Sequence, residues 1–201
     1  MDAIIVGKGP SARYIKKSDH TNTLLVAINQ ACIFIDEIDF LFMNDIEALS
    51  GLEETQLKSV NRLVIPEWPH KNGWLDKPRT SHLDFKVKLS EICVVPPPVL
   101  LHNLWSNPLP NPLLPCTDTC VTTMETAISY LAKVHDIKTI TTYGYNIPYK
   151  NTYHTDLNHL KHHSNIYSSI INEGYDKLHM CKIKKSIDSL TKKYDLKVTC
   201  Y

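Results

Sequence analysis

The chain has 201 residues, 43% of them hydrophobic and 21% charged, with a net charge of +1. That length buries a proper core and argues for one domain over residues 1–201. No apolar run approaches the roughly 18 to 20 residues of a membrane span, and Met1 to Val6 contains an acid and leads into a glycine turn rather than a secretory cleavage site; a membrane-spanning helix is excluded and a cytoplasmic protein is expected, in the host cytoplasm if the source is viral.

In chain order, Ala3 to Val6 is a short apolar run that breaks at Gly7, and Pro10 and Ser11 suit the start of a helix over Ala12 to Lys17. Thr23 to Ile28 and Asp39 to Met43 are two more strand-like runs, closed by Asn29 and by Asn44 and Asp45, the second leading into a short helical stretch to Leu49. Arg62 to Ile65 and Glu91 to Val95 read as further strands ended by proline. Glu67 to Ser81 and Pro96 to Pro115, rich in Pro and Trp, read as loops of the kind that form lids or substrate walls. Thr122 to Val134 has helical periodicity, with Ala127, Tyr130, Leu131 and Val134 on one face, and Ile137 to Thr142 returns to the sheet before Gly144. Tyr149 to Ser164 is polar and rich in histidine. Helices are expected at Asn165 to Asn172 and Ile183 to Tyr194, and a last strand at Leu196 to Cys200. Apolar strands alternating with helices predict an α/β fold: a single Rossmann-like domain with a mostly parallel sheet flanked by helices.

The six cysteines include no CxxC pair and no zinc-ligand spacing, so buried reduced thiols are expected. Charge is uneven along the chain. Residues 1–132 carry 11 basic and 15 acidic side chains, whereas residues 133–201 carry 11 and 6, together with six of the ten histidines. An anionic partner at the C-terminal third, or simply a solvated basic face, follows from that placement.

Gly7, Lys8, Gly9, Pro10 and Ser11 lie directly after the first strand, where glycines permit a tight turn and close approach of a ligand, and where a following helix would offer free N–H groups to an anion. The pattern is half of a dinucleotide fingerprint, with Ala12 where its last glycine would stand. Other strand and helix ends carry amides or hydroxyls: Asn29 and Gln30, Asn44 and Asp45, Thr122 and Thr123, and Asn146 beyond Gly144. Such groups bind a base, ribose or sugar, or else serve as turn formers and helix caps.

Taken together, the GxGPS turn, the Asn-Gln and Asn at the next two strand ends, the Thr-rich helix start and the strand ending near Gly144 resemble the small bacterial sialyltransferases and their sialyltransferase-fold relatives. The resemblance is strongest over Ala3 to Asp45 and thinner over Thr119 to Asn146 and Ser186 to Cys200. It implies a nucleotide-sugar-dependent glycosyltransferase that needs no metal or other cofactor. It also implies that Gly7, Gly9, Pro10, Ser11, Asn29, Asn44 and Thr122 or Thr123 contact the donor nucleotide, with Lys8, Gly144 and Asn146 beside them. Lys8 stands where the family has asparagine and Asn146 where it has aspartate, so a UDP sugar is as reasonable a donor as a CMP sugar. The family uses a C-terminal histidine as general base; His162 and His163 are the candidates, with His154, His159 and His179 nearby.

The excess of lysine over arginine, 19 to 3, fits an AT-rich genome, a viral one being an option. A soluble transferase with a basic lobe would suit an acceptor such as hydroxymethylated cytosine in phage DNA. Two other classes share the glycine turn. A pyrophosphokinase-like nucleotide enzyme would need magnesium held by acids such as Asp36, Glu37, Asp39 and Asp45. A non-catalytic nucleotide-binding module would bind without turnover.

Overall fold

A computed structural model describes residues 1–15, 22–69, 80–104, 110–118, 120, 122–144 and 173–201. Seven strands, β1 (Asp2–Val6), β2 (Thr23–Ile28), β3 (Phe40–Phe42), β4 (Leu63–Pro66), β5 (Val99–His102), β6 (Thr139–Tyr143) and β7 (Lys197–Cys200), form one sheet in the order β5-β4-β3-β2-β1-β6-β7. Every pairing between these strands is parallel, with Ile5 of β1 opposite Val26 of β2 on one side and Thr142 of β6 on the other. The helices are α1 (Glu54–Lys58), α2 (His82–Ile92), α3 (Thr123–Val134) and α4 (Glu173–Tyr194).

The chain winds outward from β1 to β5, then returns to the other side of β1 to lay down β6 and β7. Alternate strand residues feed two cores. Ile4, Val6, Leu25, Ala27, Leu41 and Ile65 meet Ala31, Leu49, Leu57, Phe85 and Leu89 from the connections that precede β5. On the opposite face Ala3, Ile5, Val26, Phe40, Phe42 and Val64 meet Met124, Ala127, Ile128 and Leu131 of α3 and Ile183 and Leu190 of α4. The change of face at β1 is what right-handed crossovers require when the direction of winding reverses. This is the Rossmann-like α/β arrangement, and among the described residues no helix is long and apolar enough to cross a membrane.

Several expectations need correction. The helix expected at Ala12 to Lys17 is a single 3-10 turn, Pro10–Tyr14, after which Ile15 is extended; residues 16–21 lie outside the described residues. Glu91 to Val95 is not a strand. It contains the end of α2, whose start is fixed by Ser81, which accepts the Leu83 N–H at 3.1 Å, and by Asp84, which accepts the Ser81 N–H at 3.2 Å. The fifth strand lies instead inside the proline-rich stretch read as loop, at an edge of the sheet where preceding prolines remove no needed donor. The rest of that stretch is tied down by Asn103, whose amide donates to the carbonyls of Asn111 (2.5 Å) and Leu114 (3.2 Å). α4 begins ten residues before Ile183. In α3, Ala127, Tyr130 and Leu131 are buried as expected, but Val134, its last residue, is 43% exposed. All six cysteines are free thiols, yet only Cys32 and Cys93 are buried, and Cys116, Cys181 and Cys200 are exposed.

Candidate functional site at the carboxyl edge of the sheet

The winding reverses between β1 and β6, so the carboxyl ends of these strands flank the position at which open parallel sheets bind ligands. Two glycines close that position from below. Gly7 donates its N–H to the Tyr143 carbonyl (2.7 Å) and Gly9 donates to the Gly144 carbonyl (2.8 Å). A Cβ on Gly7 would lie 2.6 Å from the Gly144 oxygen, and one on Gly144, whose φ is +67°, would lie 2.5 Å from the Gly7 oxygen. The Ser11 hydroxyl accepts the Gly144 N–H (2.7 Å) and donates to the Tyr201 carbonyl (2.7 Å), while the Tyr143 and Tyr201 rings stack 5.1 Å apart. The glycine turn therefore spends these donors on joining β1 to β6. With a five-residue 3-10 turn in place of the expected helix, it also lacks a helix terminus to offer an anion. Pro10 occupies the first position of that turn.

Lys8 projects from the same turn. Its ammonium donates to Gln30 Oε1 at 3.4 Å. Desolvation lowers its pKa to about 8 against the opposing pull of Asp45. Asp45 is in turn pushed up to about 6 by burial and by Glu47, with Lys8 opposing. Gln30 is only 1% exposed, and its Nε2 makes no hydrogen bond among the described residues; the same holds for Asn29 Oδ1, Asn44 Oδ1 and Glu47 Oε2, all buried atoms. Asn29 sits at φ +52°, a left-handed position that asparagine tolerates. Unspent polar atoms carry a desolvation cost of about 1–3 kcal/mol each; these four follow β2 and β3, and Gln30 is the residue among them bonded to the lysine.

The third group of expected residues serves the framework. Asn44 donates through Nδ2 to Thr126 Oγ1 of α3 (3.0 Å), and Thr126 donates to the Thr122 carbonyl (3.2 Å). Thr122 caps α3: its N–H donates to the Glu125 carboxylate at 3.2 Å, and its hydroxyl donates to the same group. Thr123 is buried. With Glu125 at this terminus, α3 presents a carboxylate where an anion would otherwise sit. The acids named for a magnesium site do not converge. Asp39 precedes β3, where it accepts the Leu25 N–H (2.9 Å), with Asp36 and Glu37 just before it, whereas Asp45 follows that strand at the other edge of the sheet.

His162, His163, His154, His159 and Asn146 lie outside the described residues, as does the His179 side chain. Two further polar clusters have no signature in the sequence. His102, at the end of β5, is wholly buried beside Tyr130 (6.0 Å between rings), and neither of its ring nitrogens makes a well-formed hydrogen bond among the described residues; burial lowers it to about 4, with the Asn103 backbone opposing. Asp118 accepts from Ser129 (3.0 Å), Tyr194 and Lys193, and pairs with Lys133 (3.7 Å), tying α3 to α4. These clusters give no sequence signal, because His102 meets Tyr130 and Asp118 meets α3 and α4 only across separate elements of the fold.

Comparison of the chain with known protein families, curated protein sequences and solved structures found no match.

Proposed function

We propose that this protein is a glycosyltransferase that binds a nucleotide-activated sugar at the carboxyl edge of the sheet and transfers the sugar to an acceptor hydroxyl. The observation that carries the reading is Gln30, whose buried Nε2 makes no hydrogen bond among the described residues while its Oε1 holds the Lys8 ammonium, just after β2, the strand next to β1 where the winding of the parallel sheet reverses. The sequence resemblance to sialyltransferase-fold enzymes supplies the reaction class. It also supplies the general base, for which His162 and His163 are the candidates. Gly7, Gly144, Ser11 and Thr122 act as the frame that holds the amide groups and Lys8 in place.

The acceptor is proposed to be anionic, hydroxymethylated DNA being the specific candidate. Lys182, Lys184, Lys185 and Lys192 are exposed along α4, which supports an electrostatic footprint on that face. Affinity for DNA should then fall steeply with salt.

The separation of Asp45 from Asp36, Glu37 and Asp39 counts against the pyrophosphokinase-like alternative. The deciding experiment is a thermal-shift panel of nucleotides and sugar nucleotides, with and without EDTA, followed by an assay for nucleotide release in the presence of acceptor. Stabilisation by a sugar nucleotide in EDTA, with release abolished in the His162→Ala and His163→Ala double variant, supports the transferase. Binding without release leaves a nucleotide-binding module, and stabilisation by ATP with magnesium alone moves the reading to phosphoryl transfer.

A further inference from the structure

Strands of a doubly wound parallel sheet are covered on both faces and are normally apolar throughout. Here β6 alternates instead. Ile140 and Thr142 are buried, Ile140 in the core beneath α3 and α4, whereas Thr139, Thr141 and Tyr143 are half-buried on the opposite face. The register widens this polar patch: Asp2 of β1 and Lys197 of β7 lie beside Thr139, and Thr199 lies beside Thr141. Tyr201, just after β7, stacks its ring on Tyr143. The described part of the crossover after β1 is a single 3-10 turn, too short to cover so wide a face. Among the described residues, the apolar core on this side takes in Ile4 and Val6 of β1, only Tyr143 of β6, and nothing of β7. Over the patch lies a cavity of about 240 Å³ lined by Asp2, Thr23, Thr139, Thr141, Tyr143 and Tyr201.

We propose that this cavity is a saccharide site that takes one neutral pyranose ring. It lies on the sheet face away from α3 and α4, and it does not depend on the glycosyltransferase reading. Size argues against a protein occupant. Strands β1, β6 and β7, of four or five residues each, present roughly 200–250 Å² at the usual strand spacing and rise. A stable protein interface takes about 800 Å² from each partner. The cavity is also smaller than the roughly 300–1,000 Å³ of sites for drug-sized molecules, which leaves room for a single ring. Chemistry narrows the choice further. Three threonine hydroxyls donate and accept, the Asp2 carboxylate accepts, and sugar hydroxyls complement both. The Tyr143 and Tyr201 rings offer an apolar wall to the C–H side of a pyranose. Among the described residues no lysine, arginine or histidine lines the cavity, so a phosphate or carboxylate would meet no countercharge. A purely apolar ligand would strip water from four polar side chains and return no hydrogen bond.

The test is amide NMR of the full chain, titrated into the millimolar range with glucose, galactose, mannose and N-acetylglucosamine, with inorganic phosphate and spermidine as charged controls. It is repeated with Thr141→Val and Tyr201→Ala. Thr141→Val exchanges a hydroxyl for a methyl of the same shape, and valine is at home in a strand, so the fold is kept. The expected result is a saturable shift of the Thr139, Thr141 and Tyr143 amides with at least one sugar and none with phosphate. Thr141→Val should weaken that sugar by about threefold to tenfold, the size of one hydrogen bond. Tyr201→Ala should weaken it at least as much; if that variant fails to fold, Tyr201→Leu takes its place. No saturable shift at these residues with any of the four sugars overturns the site, and so does a sugar affinity that both substitutions leave unchanged. Spermidine shifting the same amides in place of a sugar would replace the pyranose by an amine. Shifts that follow protein concentration without any ligand would place a second copy of the chain on this face. Either result overturns the proposal. None of these outcomes touches the carboxyl-edge site, which is tested by nucleotide binding.

Discussion

Gly7 and Gly144 stand backbone against backbone, so that a Cβ added to either would lie 2.6 or 2.5 Å from the carbonyl oxygen of the other. Gly7→Ala and Gly144→Ala should each destabilise by more than a typical surface change, on the order of 3 kcal/mol or more, because the atoms in the way belong to main chain that two strands hold in place. Gly144→Ala should be the worse, since its φ of +67° adds about 1 kcal/mol of strain for any side chain. Met124 Cε also lies 3.2 Å from the Gly7 Cβ position, yet Met124→Ala should not rescue Gly7→Ala. Urea unfolding of the two single variants and the Gly7→Ala/Met124→Ala pair checks this, and a rescue would mean that the side chain, not the carbonyl, is the obstacle.

The same turn carries a pH dependence. Lys8 titrates near pH 8, so it carries its charge at pH 7 and loses it as the pH rises past 8. Affinity for an anionic nucleotide should then fall towards about tenfold per unit above pH 8, as the charged lysine fraction falls, on top of the change centred near pH 6 where Asp45 ionises. At pH 8 binding should take up protons, because a phosphate favours the charged lysine. Titration in two buffers of different ionisation heat measures the uptake. Lys8→Met should show neither effect.

How far the sequence reveals this site depends on distance along the chain. The strands that bracket it are continuous apolar runs with Val and Ile, and Ala3 to Val6 and Thr23 to Ile28 are recognisable without any partner. The glycine turn is also visible, but its meaning is not: Ser11 and Gly144 are 133 positions apart, and only their contact shows that the turn spends its donors on the sheet. Asn44 reads equally well as ligand group or structural tie, and in the fold one end of its amide bonds to Thr126 while Oδ1 has no hydrogen bond among the described residues. The fifth strand was hidden by the three prolines before Val99, which suggest loop when an edge strand is meant. Glu91 to Val95 reads as a strand because Ile92, Val94 and Val95 are strand-favouring residues, although the Ser81 and Asp84 pair marks the start of the helix that ends at Ile92.

His102 makes the fold sensitive to acid. Its pKa is about 4 in the folded protein against 6.5 as the ordinary value, so below pH 6.5 the unfolded chain takes up a proton that the folded chain refuses. Stability is then lost as the pH falls from about 6.5 to about 4, by up to roughly 1.4 kcal/mol per unit. The groups facing it include Tyr130 and, beyond that ring, His135 and Arg62; His135 is itself lowered by burial and by Arg62, so neither neighbour favours a second positive charge. His102→Leu removes two unsatisfied nitrogens and should be neutral or stabilising at pH 7.5. The wild type should lose stability relative to this variant between pH 6.5 and 5, and parallel curves would mean that His102 is solvated in the folded state.

Asp118 gives the opposite acid response, through pairing instead of refusal. Burial alone would raise its pKa, but hydrogen bonds from Lys193, Tyr194 and Ser129 and the charge of Lys133 hold it below the ordinary 3.8. For a depressed carboxylate the stabilisation is complete above the unfolded value and disappears as the pH falls through the folded one, so it is present throughout the neutral range. Asp118→Asn keeps the shape, gives up the ionic part of four contacts and leaves the Lys193 ammonium without a carboxylate. Lys193 is exposed and solvent already screens it, so most of the loss should come through Tyr194 and Ser129, about 1–2 kcal/mol in all. The penalty should shrink as the pH is taken below 3.8, where the wild-type carboxyl begins to be neutralised. It should be accompanied by faster hydrogen exchange in α4, because Asp118 is the residue through which the loop before α3 grips Lys193 and Tyr194 of that helix. A penalty that stays constant from pH 7 down through the acid range in which the wild-type carboxyl is neutralised would show that the shape of the side chain, not its charge, holds the two helices together.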